Sequence, residues 1–123
     1  MTDPDITRRN RAAKRAGAQW ESDLISWFRE QGYRTEGLRR AGVNDEGDIA
    51  VTLNDGSVLL VEAKNTKSMD LAGWVAQAEK EADNYTRRRG IPRDQVTWVV
   101  LAKRRNHGVA KAYAVSSLSE YLQ

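Results

Sequence analysis

The sequence feature that most constrains the fold of this chain is a β-hairpin near its middle. Residues 48–53 (DIAVTL) and 57–63 (SVLLVEA) are rich in β-branched and aliphatic residues, and Asn54-Asp55-Gly56 between them is a strong turn signal. Successive side chains of a strand point to opposite faces, so a hairpin fixes which residues can share a face. The sequence therefore predicts an antiparallel pair of strands joined by a short loop.

Helical and strand-like segments surround this hairpin in an order typical of an α/β protein. Apolar residues recur at helical spacing in residues 17–31 and 69–89. Residues 95–102 form a nearly continuous apolar run, as in a central strand, and Ser117 with Glu120 fits the capping box of a short last helix. With further strands at 33–40 and 110–115, the order is α-β-β-β-α-β-β-α. We predict a mixed β-sheet flanked by helices.

Length and composition set the limits within which the chain can function. The 123 residues match one domain, for which we expect a flexible basic arm at 1–16 and a single domain at 17–123. The chain has no cysteine and a single histidine, His107, which excludes disulfides, thiolate metal sites and multi-histidine metal sites. No apolar run reaches the roughly 18 residues of a membrane span. We expect a cytoplasmic protein that does not associate with membranes.

Basic residues are clustered along the chain, although the net charge is only +3. Clustered lysine and arginine side chains are how proteins gather phosphate contacts, and the alternative is that they form solvated surface. His107, in a basic turn, is interpreted as a surface residue. The candidate DNA-binding residues are Arg8, Arg9, Arg11, Lys14, Arg15, Arg39, Arg40, Lys67, Arg87, Arg88, Arg89, Lys103, Arg104 and Arg105.

Acidic residues on the predicted hairpin are the strongest indication of chemistry. Glu62 and Lys64 lie two residues apart on one strand and therefore share a face. If the loop has three residues, Leu53 pairs with Ser57, and counting back puts Asp48 opposite Glu62, roughly 5 Å away. A two-residue loop would shift this register by one.

Facing carboxylates repel each other, and a divalent cation would remove the conflict. Mg²⁺ prefers oxygen ligands and is commonly held by one or two carboxylates plus waters and substrate phosphates. Lys64 beside such an ion could orient the attacking water or offset phosphate charge. The alternative is a plain ion-pair network of Asp48, Lys64 and Glu62 on an exposed sheet face.

A further acid lies in the first predicted helix. Glu21 shares its face with the apolar residues Leu24, Ile25 and Phe28, so it is expected to face the core and to need a cation or hydrogen-bond partner. The alternative is that Glu21 lies at the edge of this stripe and reaches solvent. Asp45 and Glu46 are acids beside Asp48, but they fall in the loop and rank lower.

Taken together, these residues resemble the PD-(D/E)XK nuclease superfamily. The resemblance covers about residues 17–115: a helix with an inward Glu21, then Gly47-Asp48, a hairpin, Glu62-Ala63-Lys64 and a long helix. Within the superfamily, the chain is most similar to the small archaeal-type and phage Holliday junction resolvases. Gly47 stands where the motif name has proline, and residues 41–47 lack the Gly-Ser pairs expected in the substrate loop of a resolvase.

The resemblance implies a restriction-endonuclease-like core and a set of site residues. Asp48, Glu62 and the backbone carbonyl of Ala63 would bind Mg²⁺ or Mn²⁺, and Lys64 would assist the attacking water. Glu21 would act through a metal or its water. Gln77, on the second long helix, matches a glutamine that related nucleases have beside the active site, although it could be an ordinary surface residue.

The resemblance also implies a partner and an assembly. The expected function is metal-dependent, structure-selective cleavage of DNA at four-way junctions, which needs two active sites and hence a homodimer. Three alternatives stay open: a flap, nicking, restriction or repair endonuclease of the same fold, a non-catalytic nucleic-acid-binding module, or a protein-interaction domain.

Overall fold

A computed structural model describes residues 3–38 and 45–123. The last residues of the predicted edge strand and most of the loop at 41–47 therefore lie outside the described residues. In chain order the elements are α1 (Pro4–Glu30), β1 (Arg34–Gly37), β2 (Ile49–Thr52), β3 (Val58–Lys64), α2 (Leu71–Arg89), β4 (Val96–Ala102), β5 (Tyr113–Val115) and α3 (Leu118–Tyr121).

The five strands form one mixed sheet in the spatial order β1-β2-β3-β4-β5. The pairs β1/β2, β2/β3 and β4/β5 are antiparallel, whereas β3 and β4 run parallel. Parallel neighbours need a long crossover connection, which α2 supplies. The predicted α/β fold, a mixed sheet flanked by helices, is confirmed.

The register of the β2–β3 hairpin follows the three-residue loop. Ile49 pairs with Val61 and Thr52 pairs with Val58, and the Leu53 N–H donates to the Ser57 carbonyl at 2.8 Å. Gly56 adopts φ +86° in this loop. Glycine adopts positive φ angles without steric cost, and this turn requires one. The alternative register, shifted by one residue, is thereby excluded.

Each face of the sheet is covered by one long helix, because the strand side chains alternate between two apolar surfaces. On one face, α1 contributes Trp20, Leu24 and Phe28, which join Ile49, Val51 and Val61 in one buried cluster. On the other face, α2 contributes Trp74, Ala78, Ala82 and Tyr85, which join Ala50, Leu60, Val96, Trp98, Val100 and Ala102. The strands thus form the middle layer of an α/β/α arrangement.

Helix α1 begins much earlier than the sequence suggested. It starts at Pro4, and the Asp3 side chain caps it by accepting the Asp5 N–H at 2.9 Å. Proline is well suited to a first helical turn, and aspartate is a preferred N-cap. Most of the segment expected to be a flexible arm is therefore helical. The division into a basic arm and a single domain at 17–123 stays a prediction.

The observed strands are shorter than the predicted ones, and Ser117 is the N-cap of the last helix, as expected. Ser117 accepts the Glu120 N–H, but the Glu120 carboxylate turns away and accepts the buried N–H of Trp98 at 3.1 Å. Glu120 also faces Arg93 at 3.4 Å, so α3 is tied to β4.

Within the described residues, no helix is both long and apolar enough to cross a membrane.

Candidate active site

Asp48 lies at the start of the hairpin, where the regular pairing of β2 with β3 ends. Its N–H donates to the Val61 carbonyl at 3.1 Å, and its Oδ2 accepts the N–H of Ala63 at 2.8 Å. The sequence predicted a direct cross-strand pair with Glu62, but the regular pairing of β2 with β3 begins only at Ile49, one residue after Asp48. Asp48 is buried, so this backbone donor fixes a carboxylate that solvent scarcely reaches.

Glu62, Lys64 and Gln77 form a hydrogen-bonded triangle beside Asp48. Gln77 Nε2 donates to Glu62 Oε1 at 3.1 Å, and Lys64 Nζ donates to Gln77 Oε1 at 2.9 Å. Lys64 Nζ also lies 3.4 Å from Glu62 Oε1. Glu62 and Lys64 share the α2 face of the sheet, as their spacing predicted, and α2 supplies Gln77 from above them. Gln77 thus lies next to these residues, and its part in the site stays a prediction.

A third acid, Glu81, joins this group, and the sequence reasoning did not single it out. Glu81 is 4% exposed, less than Glu62 at 6%, and the Oε2 atoms of both carboxyl groups lie next to Gly47. The signal was present, because Glu81 follows Trp74 by seven positions and Ala78 by three, on the apolar stripe of α2. An acid on such a stripe needs a cation or a hydrogen-bond partner, as was expected for Glu21.

The pKa values of these two acids reflect their shared burial. Burial raises the pKa of Glu62 to about 10, helped by the hydrogen bond with Glu81 and the charge of Asp48, while Lys64 opposes the shift. Burial also raises the pKa of Glu81, although hydrogen bonds from Glu62 and Gln77 act against it. Removing a carboxylate from water penalises its charged form. The site therefore favours whatever neutralises this charge, either a proton or a cation.

The polar atoms of the site suit a hard cation. Glu62 Oε2 and Glu81 Oε1 are buried oxygens without a hydrogen-bond donor, and carboxylate oxygens are the ligands that Mg²⁺ prefers. Among residues 3–38 and 45–123, no three or more acidic or histidine side chains are already arranged around one ion position. The donor set thus fits an ion held by one or two carboxylates, with water and substrate oxygens completing its shell.

Glu21 belongs to a different layer of the molecule from Glu62. It is half-buried on α1, beside the buried residues Trp20 and Leu24, and α1 covers the face opposite α2. Glu21 was expected to face the core, and its half-buried place on α1 corresponds instead to the alternative, a position at the edge of the apolar stripe. Its participation in the site stays a prediction.

The loop that leads into Asp48 is fastened to the C-terminal part of α2. Glu46 is buried and forms ion pairs with Arg88, at 3.2 Å, and with Arg89. Asn84 Nδ2 donates to the Asp45 carbonyl at 2.9 Å. Arg88 and Arg89, predicted to contact DNA, are thus engaged by an acid of their own chain. Asp45 and Glu46 lie in the loop, as expected, and Glu46 anchors it.

Two groups of the remaining candidate DNA-binding residues lie on α1 and in the turn after β4. The basic residues of α1 are exposed, with Arg8, Arg11 and Arg15 on one helical face. Lys103 follows β4, and its N–H donates to the Lys64 carbonyl at 2.9 Å, so the basic turn lies next to the site.

The rest of these candidates contact other residues of the chain, are exposed, or lie outside the described residues. Arg104 lies 5.5 Å from the Tyr113 ring, and Arg87 donates to Asn84. Arg105, His107 and Lys67 are exposed. Arg39 and Arg40 lie outside the described residues.

Comparisons with known proteins identify the fold. No protein-family model and no curated protein sequence matches the chain. Among solved structures, the chain is similar to Hjc, a Holliday junction resolvase from the archaeal hyperthermophile Archaeoglobus fulgidus. The match has a TM-score of 0.52 and 20% sequence identity, and it covers 87% of this chain and 88% of the other. The chain therefore has the fold of that resolvase, as the sequence resemblance predicted.

Proposed function

We propose that this protein is a divalent-metal-dependent DNA endonuclease that cleaves branched DNA, in the manner of a Holliday junction resolvase. The observation that carries the proposal is the convergence of Asp48, Glu62 and Lys64 at one end of the hairpin. The comparison with solved structures supports the fold on which the proposal rests, because the similarity to a resolvase covers 87% of this chain.

In this proposal each site residue has a distinct task. Asp48 and Glu62, with the Ala63 carbonyl, hold Mg²⁺ or Mn²⁺, which when bound stabilises negative charge on the phosphoryl oxygens. The Ala63 N–H holds the Asp48 carboxylate in a fixed orientation. Gln77 positions the Lys64 ammonium, whose Nζ hydrogens orient the attacking water or the scissile phosphate. Glu21 assists from α1.

Surface charge supports the proposed substrate, and the symmetry of the reaction supports the proposed assembly. The exposed arginines of α1 and the basic turn at Lys103 beside the site are suited to contact phosphates without reading bases. We propose selection by DNA shape. Symmetric cleavage of two strands across a junction needs two equivalent sites, so the active form in this proposal is a two-fold homodimer.

The first test compares cleavage of a labelled four-way junction, a flap and a linear duplex of matched sequence. Wild type with Mg²⁺ or Mn²⁺ is expected to make paired, symmetric nicks in the junction, and EDTA is expected to abolish them. Asp48→Ala is expected to lose about 100-fold or more in rate, because a charge-stabilising group is removed from the transition state. Asp94→Ala, an exposed acid elsewhere, is the matched control and should cleave normally.

Other outcomes separate the alternatives. Metal-dependent cleavage of the flap or the linear duplex, lost in Asp48→Ala, would keep the nuclease and discard the junction. Tight DNA binding without cleavage in Mg²⁺ or Mn²⁺ would establish a non-catalytic binding module. Absence of DNA binding even at low salt would favour a protein-interaction domain, since phosphate contacts strengthen as salt falls.

A further inference from the structure

Glu81 is the most deeply buried acid of the site, and the proposed mechanism gives it no task. Its side chain extends from α2 toward the same point as Glu62. A Cβ atom built on Gly47 would lie 3.2 Å from Glu81 Oε2 and 4.0 Å from Glu62 Oε2. The two carboxyl groups therefore meet next to the backbone that leads into Asp48.

The contacts of these two acids are unevenly distributed over their oxygens. Glu62 Oε1 receives both Gln77 and Lys64, whereas Glu62 Oε2 and Glu81 Oε1 are buried without a donor. Within the described part of the chain, no lysine or arginine forms an ion pair with Glu81. Buried polar atoms normally have partners, and one buried carboxylate directed at another is costly unless something lies between them.

Packing gives no reason for an acid at position 81. The neighbouring stripe positions, Trp74, Ala78 and Ala82, are apolar and fill the core between α2 and the sheet. A leucine or methionine at 81 would continue this stripe, since apolar side chains of similar volume commonly replace buried charges without loss of stability. The acid is therefore better explained by a ligand than by the fold.

We propose that Glu81 is itself a ligand of the divalent cation, binding it through Oε1 beside Glu62 Oε2, so that α2 contributes a metal ligand in addition to the hairpin. The inference rests on the proposed metal dependence and adds a residue to it. Two carboxylates supply hard oxygens of the kind that Mg²⁺ and Mn²⁺ take, and water and phosphate oxygens complete the coordination. Gln77, one helical turn earlier, keeps Glu62 Oε1 occupied and leaves Oε2 for the ion.

The test measures Mn²⁺ binding without DNA, by isothermal titration calorimetry on the full chain. Glu81→Gln keeps the shape of the side chain and removes its charge, and it is expected to weaken Mn²⁺ binding about 10-fold or more. Glu79→Gln is the matched control, because it removes the same charge from an exposed position of the same helix. Circular dichroism and urea unfolding in EDTA establish that each variant is folded.

The outcomes distinguish this inference from the proposed function. Weaker Mn²⁺ binding by Glu81→Gln and unchanged binding by Glu79→Gln would support the inference. Equal affinities in wild type and Glu81→Gln would overturn it, and Glu81 would then be only a packing partner of Glu62. Junction cleavage by wild type could still succeed in that case. Absence of Mn²⁺ binding by wild type would overturn the inference, and the cleavage assay alone would then decide the function.

Discussion

At the scale of single residues, Gly47 joins the backbone conformation to the chemistry of the site. It adopts φ +102°, which an L side chain rarely takes, immediately before Asp48. Its missing Cβ also leaves room for Glu81 Oε2, which would lie 3.2 Å away. Glycine at this position therefore allows the chain to turn into β2 while Asp48 reaches the Ala63 N–H.

We predict that Gly47→Ala destabilises the fold by about 1–2 kcal/mol, because an L residue in left-handed backbone costs roughly that amount. The same change should lower cleavage at least about 10-fold, since Asp48 must shift with the strained backbone. Urea unfolding and junction cleavage under single-turnover conditions measure the two effects.

Gly56→Ala is the control for this prediction. Gly56 also has a positive φ, +86°, but a Cβ there would meet nothing within 4 Å. A similar loss of stability with normal cleavage is expected. Equal losses of cleavage in both variants would show that the effect of Gly47→Ala is a general one on folding.

At the scale of the elements, one face of α2 contacts both the site residues and the loop before Asp48. Gln77, Glu81, Asn84 and Arg88 recur at spacings of four, three and four residues, which is the spacing of one helical face. In that order they contact or approach Lys64, Glu62, the Asp45 carbonyl and Glu46. Helix α2 is therefore both the crossover between parallel strands and the element that holds the loop before Asp48.

We predict that Glu46→Gln lowers the cleavage rate about 10-fold and leaves the equilibrium affinity for DNA unchanged. The substitution removes the charge that holds Arg88 and Arg89, and so loosens the loop that positions Asp48. Stability should fall by about 1 kcal/mol, because both arginines are partly exposed. Single-turnover rates and fluorescence anisotropy in EDTA separate the rate from the affinity.

Asp83→Asn is the matched control. Asp83 lies on α2, like Arg88 and Arg89, but it pairs with Arg93 and not with the loop. It should cleave at the wild-type rate. Tighter DNA binding by Glu46→Gln would contradict the prediction, because it would mean that Glu46 keeps the two arginines from phosphates.

At the scale of the whole molecule, the basic half of α1 is connected directly to the site. Asn65 follows Lys64 at the end of β3, and its side chain donates to the Ala16 carbonyl at 3.3 Å. From Ala16 toward its N-terminus the helix is almost entirely exposed, and it carries five basic residues. These charges lie on the same continuous helix as Ala16, and the helix therefore sets their distance from the acids.

We predict that Arg11→Gln with Arg15→Gln makes junction binding less dependent on salt. Removing one arginine–phosphate interaction should reduce the slope of log affinity against log salt by about 0.7–0.9, so the double substitution should reduce it by up to about 2. Anisotropy titrations in EDTA from low to moderate salt measure this slope.

The control replaces Arg34 and Lys80, two exposed residues on β1 and α2, with glutamine and thus removes the same net charge. An equal reduction of the slope in the control would mean that overall charge, and not the α1 surface, attracts DNA.

Much of this architecture was readable from short stretches of sequence. The turn at Asn54-Asp55-Gly56 set the register of the hairpin, and strand alternation put Glu62 and Lys64 on one face. Helix α2 and strand β4 were recognisable from their apolar patterns. The start of α1 was not, because residues 4–16 have no apolar stripe and their helix depends on the Asp3 cap and on helix-forming residues.

The candidate site depended more on tertiary structure. By itself the sequence determined Glu62-Ala63-Lys64 as a unit, because alternation along one strand is a local property. Only the fold decided that Glu81 meets Glu62, that Glu46 holds Arg88 and Arg89, and that Glu21 lies in the layer opposite α2. These contacts join residues that are distant in the sequence, and such contacts are set by how α1 and α2 pack on the two faces of the sheet.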